Sequence, residues 1–173
     1  MSNSRSVSVA AAASEPLTLS EVKKHLEIAD SVTDHDTYLT ALITAAREEW
    51  ERDTHSLTTS RTVTERDNFV DLESWLSYRP VISLTSVTFD GVTQATAEVD
   101  AENGVLHLED SHSSDDWNGV VITYVAGYAT VPESIKAALK LKISSLFDEH
   151  RQQPHYDNAY EMIVKKYMRA SYP

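Results

Sequence analysis

The sequence predicts an α+β fold: a helical bundle of two N-terminal and two C-terminal helices, with an antiparallel β module inserted between them. Apolar residues recur at helical spacing near both ends of the 173-residue chain. The middle, residues 56–131, is rich in Thr, Val and Ser, alternates apolar with polar residues and contains Asp-Gly and Asn-Gly pairs typical of hairpin turns. The order of these patterns places the strands between two pairs of helices.

The first predicted helix covers residues 17–29 and the second covers residues 35–54. Thr18 and Glu21 have the spacing of a capping box, in which a hydroxyl and a carboxylate satisfy early backbone N–H groups. In the second helix, apolar residues lie three or four positions apart over residues 39–50, which predicts one buried face. A short connection between the two helices favours a helical hairpin.

Residues 1–16 are predicted to form a flexible N-terminal arm. Their apolar residues are Val7, Val9 and a short Ala run, with Ser interleaved. This segment lacks the Leu-rich core of a secretory signal. Because untied termini of such composition are usually poorly ordered, we expect no regular structure here.

The β module is predicted to be an antiparallel meander or a small barrel-like sheet of four to six strands. Asp90-Gly91, Asn103-Gly104 and Asn118-Gly119 are each expected to form a tight turn, since these pairs readily adopt positive φ. Pro80 lacks an N–H donor, so a strand should not run through it.

The third predicted helix covers residues 132–150 and opens with Pro132, which suits the first turn of a helix. The last helix is expected from about Asp157 to Arg169. We assign residues 17–153 to one domain and residues 154–173 to a separate C-terminal docking helix and tail.

The chain carries 15 basic and 27 acidic residues, a net charge of −12. Residues 1–131 carry a net charge of −14, and residues 132–173 a net charge of +2. Such an acidic body argues against general DNA binding, which needs a concentrated basic face. No apolar run approaches the roughly 18–20 residues that span a bilayer, so we expect a soluble chain that does not contact a membrane.

No motif predicts catalysis, a cofactor or a metal ion. The chain has no Cys, which excludes disulfides, thiolate catalysis and Cys–zinc sites. Its seven His residues do not show the spacing of zinc hydrolases, and no glycine-rich phosphate loop or nucleophile elbow is present. A triad assembled in space leaves no local signature, so a small soluble enzyme or ligand-binding module remains an alternative.

Several segments together resemble one protein family over about residues 17–169. They are Leu17–Ile28, Asp36–Thr54 with its Ala45-Ala-Arg-Glu48, the Tyr124-Val-Ala-Gly-Tyr128 segment followed by Val131-Pro132 and Ile135-Lys-Ala137, and Tyr167-Met-Arg169. In order and spacing these are similar to the head–tail connector, or adaptor, proteins of tailed double-stranded DNA phages and phage-like gene-transfer particles.

The resemblance implies a structural protein of the particle neck, assembled in the host cytoplasm, without catalytic residues or cofactor. Such proteins form a twelve-fold ring beneath the portal, bridge it to a stopper or tail-completion protein, and leave a central channel for DNA. An acidic body fits this role as a hypothesis, because like charge lets a duplex slide without adhering. A stopper or tail-completion protein of the same neck is the alternative.

The last helix is the candidate portal-docking segment. Its residues combine aromatic, apolar and basic side chains. Of these residue types, Tyr, Met and Arg are enriched in protein interfaces. The candidate set is Tyr160, Ile163, Val164, Lys165, Lys166, Tyr167, Met168 and Arg169. Packing of this helix against its own domain is the competing interpretation.

Overall fold

The computed structural model describes residues 5–113, 119–147 and 154–168, without the side chains of residues 154–156. The chain divides into two compact units. The helical unit comprises residues 13–58 and 130–173, and the β unit comprises residues 1–12 and 59–129. The predicted α+β class, with strands inserted between two pairs of helices, is confirmed. The predicted domain boundaries after residues 16 and 153 do not coincide with the boundaries of these units.

In the part of the chain that the structure describes, the helical unit contains four helices. They are α1 (Leu19–His25), α2 (Asp36–Thr54), α3 (Glu133–Phe147) and α4 (Pro154–Tyr167). The capping box is confirmed, since the Thr18 hydroxyl accepts from the Glu21 N–H and the Glu21 carboxylate accepts from the Thr18 N–H. The predicted first helix was too long at both ends, because Thr18 caps it and Glu27 leaves helical geometry with a φ of 59°.

The two C-terminal helices differ slightly from their predicted bounds. Helix α3 begins at Glu133, and the predicted extension over residues 148–150 lies outside the described residues. Helix α4 begins at Pro154, three residues before the predicted start. Proline suits the first turn of a helix because an N–H group there has no partner within the helix.

An apolar core joins α2 and α3. Its fully buried members, each at most 1% exposed, include Leu39, Ala46, Trp50, Ile135, Leu139 and Ile143. Neighbouring residues in this set lie four or seven positions apart along each helix, which is the spacing predicted for one buried face.

Arg47 links α2 to the chain on either side of it. Its Nε donates to Glu15 Oε2 at 2.8 Å, and its Nη1 donates to Glu51 Oε2 at 3.3 Å. Glu51 in turn accepts from the Thr58 N–H at 3.0 Å. Burial disfavours the cation, but the Glu15 and Glu51 carboxylates outweigh that effect and raise the pKa of Arg47.

The β unit contains ten strands in the described residues, arranged in three sheets. The large sheet has the order β1 (Ser6–Val9), β2 (Arg61–Asp67), β10 (Val120–Ala126), β5 (Val81–Phe89) and β6 (Val92–Thr93). The small sheets pair β3 (Phe69–Val70) with β9 (His112–Ser113), and β4 (Glu73–Trp75) with β8 (Val105–His107) and β7 (Glu98–Asp100). Every pairing is antiparallel.

The β module was predicted to be one meander or barrel-like sheet of four to six strands, whereas the described part of residues 56–131 holds nine strands that belong to three sheets, one of them five-stranded. The extra strands are two or three residues long, too short for a visible alternation of apolar and polar residues. The large sheet is not a simple meander either, because β10 lies between β2 and β5. Two turns are as predicted: Asp90-Gly91 joins β5 to β6, and Asn103-Gly104 joins β7 to β8. Asn118 of the third pair lies outside the described residues.

The prediction of a flexible arm over residues 1–16 was wrong for its described part. Ser6–Val9 pairs with β2, and the Arg5 guanidinium forms an ion pair with Glu65. Glu15 is held by Arg47, as described above. The alternating Ser-Val-Ser-Val sequence suits an edge strand, but its partner lies more than fifty residues away and is not visible locally.

One face of the large sheet is buried and contains a carboxylate. Its buried neighbours include Val63, Ile122 and Tyr124. Glu65, only 1% exposed, accepts hydrogen bonds from the Tyr124 hydroxyl, from Arg5 and from the Ser77 N–H at 2.8 Å. Burial and the nearby Glu65 carboxylate raise the pKa of Tyr124, so its hydroxyl remains a hydrogen-bond donor at neutral pH.

The backbone at Gly127 explains why the Tyr124–Tyr128 segment contains a glycine. Its φ is +111°, a backbone conformation that disfavours side chains, and its N–H donates to the Pro80 carbonyl at 2.8 Å. A Cβ at this position would lie 2.1 Å from the Thr59 carbonyl oxygen. The chain therefore requires glycine at the end of β10.

No helix among the described residues is long and apolar enough to cross a membrane.

We expect Tyr124→Phe to lower the free energy of unfolding of the β unit by about 1–3 kcal/mol, because Glu65 loses a donor inside the core. Urea unfolding, with hydrogen exchange of the β10 amides, measures the change. The control is Tyr38→Phe, whose side chain is 49% exposed; it should stay within about 0.5 kcal/mol of wild type. Equal effects of the two variants would contradict this account of Glu65.

We expect Gly127→Ala to destabilise the β unit far more than Gly91→Ala. Both glycines have positive φ, which costs an alanine about 1–2 kcal/mol. Only at Gly127 does the new Cβ also meet backbone, whereas at Gly91 nothing lies within 4 Å. Thermal unfolding followed by circular dichroism compares them. Similar melting temperatures for the two variants would show that the close approach to Thr59 is unimportant.

Candidate functional site

Helix α4 packs one face against its own helical unit. The Tyr167 ring lies 5.1 Å from the buried Trp50 ring, and the Tyr160 ring lies 6.5 Å from it, both edge-on. Tyr160 and Val164 are buried, at 4% and 6% exposure. The Tyr167 hydroxyl also lies 2.7 Å from the Ser134 hydroxyl on α3. These positions are three or four residues apart, so they form the inner face of α4.

Polar contacts fix the position of this inner face. Lys142 Nζ lies 5.3 Å from the centre of the Tyr160 ring and 2.7 Å from Glu49 Oε1, so one cation contacts both an aromatic face and a carboxylate. Burial, with the Asp53 and Glu49 carboxylates, raises the pKa of Tyr160. At the start of α4, the Ser145 hydroxyl donates to Asp157 at 2.7 Å.

The opposite face of α4 is exposed and combines methionine with lysine. We call Met162, Lys165 and Lys166, with Met168 directly after the helix, the outer α4 surface; all four are exposed. Met162 is 67% exposed and Met168 is 50% exposed. Lys165 lies 3.8 Å from Glu161, a solvent-exposed pair that contributes little to stability. Flexible methionine side chains suit an adaptable contact with a partner protein, and the lysines add positive charge that attracts an acidic one.

The structure divides the candidate docking residues between the two faces. Tyr160 and Val164 are buried in their own unit, so their assignment to a docking surface does not fit this conformation. Ile163 and Tyr167 are half-buried, and Lys165, Lys166 and Met168 are exposed. Arg169 lies outside the described residues. The docking residues predicted from the sequence did not include Met162. Because it lies four residues before Lys166, it shares a face of the helix with that residue.

Among the described residues, no group of three or more His, Asp or Glu side chains could hold a metal ion. His112 Nε2 lies 3.1 Å from Asp90 and its ring stacks on Phe89 at 4.4 Å. His25 lies 3.0 Å from the Ser144 hydroxyl, and burial together with Lys140 lowers its pKa. These are pairwise contacts, without the convergent set of groups that acid–base catalysis uses.

The sequence matches the model of the head completion protein family over residues 15–151, which is most of the chain. No curated protein shows significant similarity to the sequence.

The fold is similar to chains in solved structures of gene transfer agent (GTA) particles. In the neck of an empty GTA particle, computed with C6 symmetry, the TM-score is 0.69 at 17% identity, covering 96% of this chain and 97% of that chain. In the virion of a native GTA particle the TM-score is 0.68 at 14% identity, with 95% and 97% covered. In the neck of a native GTA particle, computed with C12 symmetry, it is 0.62 at 17% identity, with 90% of each chain covered.

Proposed function

The chain belongs to the head completion protein family, and from this premise we propose that it is a structural protein in the neck of a phage or phage-like particle. The observation that carries the proposal is the family match together with the extent of the structural similarity. Nearly the whole of this chain corresponds to nearly the whole of a chain in a GTA neck. A shared fold over that length accounts for both units of the protein.

We further propose that the protein acts as a ring of identical copies. The similar neck structures were computed with sixfold and twelvefold symmetry, which is the arrangement that such a ring requires. A closed ring needs two different surfaces on each copy, which meet head to tail. We propose a dodecamer, with DNA passing through a central channel without sequence-specific binding, since the net charge of −12 disfavours adhesion to a duplex.

Within the neck, we propose the adaptor role, with contact to the portal through the outer α4 surface. Support comes from its composition: exposed methionine and lysine side chains stand out on a chain that is strongly acidic. The stopper or tail-completion role is the alternative, and the identity of the bound partner separates the two.

We expect loss of the protein to leave DNA-filled heads that carry no tails, because the neck would lack one of its rings. The measurement is electron microscopy of particles from cells with the gene deleted, with the wild-type gene restored as control. Complete necks with attached tails in the deletion strain would contradict the proposed function.

We expect the double variant Met162→Asp/Lys166→Glu to weaken binding to purified portal by about tenfold or more, because an interface loses an apolar contact and a cation. Surface plasmon resonance with immobilised portal measures the affinity. Point variants are preferable to truncation before Pro154, since truncation also removes Tyr160 and Val164 from the core of the helical unit.

The matched control is Val32→Asp/Lys24→Glu, which makes the same change in charge at exposed positions of the same unit. Wild-type portal binding by the control, with weak binding by the α4 variant, supports the adaptor role. Equal portal binding by both variants would contradict docking through α4. Binding of the wild-type chain to a stopper, and not to portal, would favour the alternative.

A further inference from the structure

The β unit is acidic, yet among the described residues one face of its large sheet carries no acidic side chain. Residues 1–12 and 59–129 include 4 basic and 12 acidic residues, a net charge of −8. Along β2 and β10, buried residues alternate with partly exposed ones, so the sheet has a buried face and an outer face. Glu65 and Asp67 both lie on the buried face.

The strand register shows which side chains share the outer face. Two rows cross the three central strands: Arg66, Val121 and Thr88 form one, and Thr64, Thr123 and Ser86 form the other. We call these six residues the outer sheet face. Each is partly exposed and none is buried.

The neighbouring strands continue the same composition. On β1, Ser6 and Ser8 pair with Arg66 and Thr64, and on β6, Thr93 pairs with Thr88. Side chains two residues apart on a strand point to the same face. The first row therefore runs from β1 to β6, and the second from β1 to β5, without a carboxylate. Arg66 provides their single charge.

Self-association is the binding event that such a face suits. Each copy carries a net charge of −12, so two copies repel unless they meet where carboxylates do not face each other. The central parts of protein interfaces are depleted in charged residues, as this face is. Arg66 would attract the acidic surface that every neighbouring copy presents.

We propose that the outer sheet face is where the next copy of this chain docks in the ring, with Arg66 directed at carboxylates of that copy. The inference rests on the proposed ring-forming function and adds to it the face that makes the contact. The surface that meets this face is a different one, because ring contacts are head to tail. DNA does not fit here, since a single arginine cannot match a run of phosphates.

Photo-crosslinking identifies the occupant of this face. The chain has no Cys, so Thr62→Cys, exposed on β2 two residues before Thr64, places one benzophenone maleimide at its rim. The labelled chain is assembled onto portal-containing heads and irradiated, with labelled Thr96→Cys, in an exposed turn, as control. We expect a product of about twice the 19.3 kDa chain mass from Thr62→Cys and at least fivefold less from the control.

A charge series tests the sign of the interaction. We expect Thr123→Glu to reduce the number of particles with a complete ring by at least tenfold, whereas Thr123→Lys should assemble at least half as well as wild type. Thr96→Glu adds the same negative charge at an exposed turn residue that belongs to neither row and should assemble normally. Circular dichroism melting of each purified variant establishes that it is folded. If Thr123→Glu is unfolded, the same comparison is made between Arg66→Glu and Arg66→Lys.

Each outcome bears on the inference. Crosslinking to another particle component alone, or normal ring assembly of folded Thr123→Glu and Arg66→Glu, overturns it and leaves the neck function intact. Absence of the wild-type chain from purified necks overturns the proposed function and this inference together.

Discussion

The side chain of Glu65 lies in the middle of the buried face of the large sheet, and three parts of the β unit converge on it. Arg5 reaches it from the N-terminal strand, Tyr124 from the central strand, and the Ser77 N–H from the segment after β4. Burying a carboxylate costs free energy of folding unless its oxygens accept hydrogen bonds. Because Glu65 needs these three donors together, it holds all of them in place. These hydrogen bonds hold β1 on β2 and fix Tyr124, and the outer sheet face follows from the same register.

In the helical unit the comparable role belongs to Arg47, which joins Glu15, Glu51 and, through Glu51, the Thr58 N–H. Helix α4 of the same unit presents two chemically distinct sides. Its aromatic residues pack against Trp50, and its methionines and lysines are exposed to solvent. A helix attached this firmly to its own unit offers a rigid surface to a partner, which lowers the entropy lost on binding.

The negative net charge of the chain relates its two unusual surfaces to the proposed role in a neck. In the proposed ring, an excess of acidic residues would oppose contact between copies and attachment to DNA. On this proposal, contacts would be made through surfaces that are exceptions to the acidic composition. The outer α4 surface and the outer sheet face are two such exceptions, one basic and apolar, the other nearly uncharged, and they lie in different units of the chain.

By itself the sequence determined the α+β class, the position of the four helices, the capping box at Thr18 and the turns at Gly91 and Gly104, because each depends on residues within a few positions of one another. Only the tertiary structure decided that residues 6–9 form a strand, that the described part of residues 56–131 contains nine strands, and that Tyr160 and Val164 face inward. Those outcomes depend on partners far away in the chain: Glu65 for Arg5, and Trp50 for the last helix. Local patterns cannot reveal which distant group will satisfy a charge or cover a ring, since that choice is made by packing.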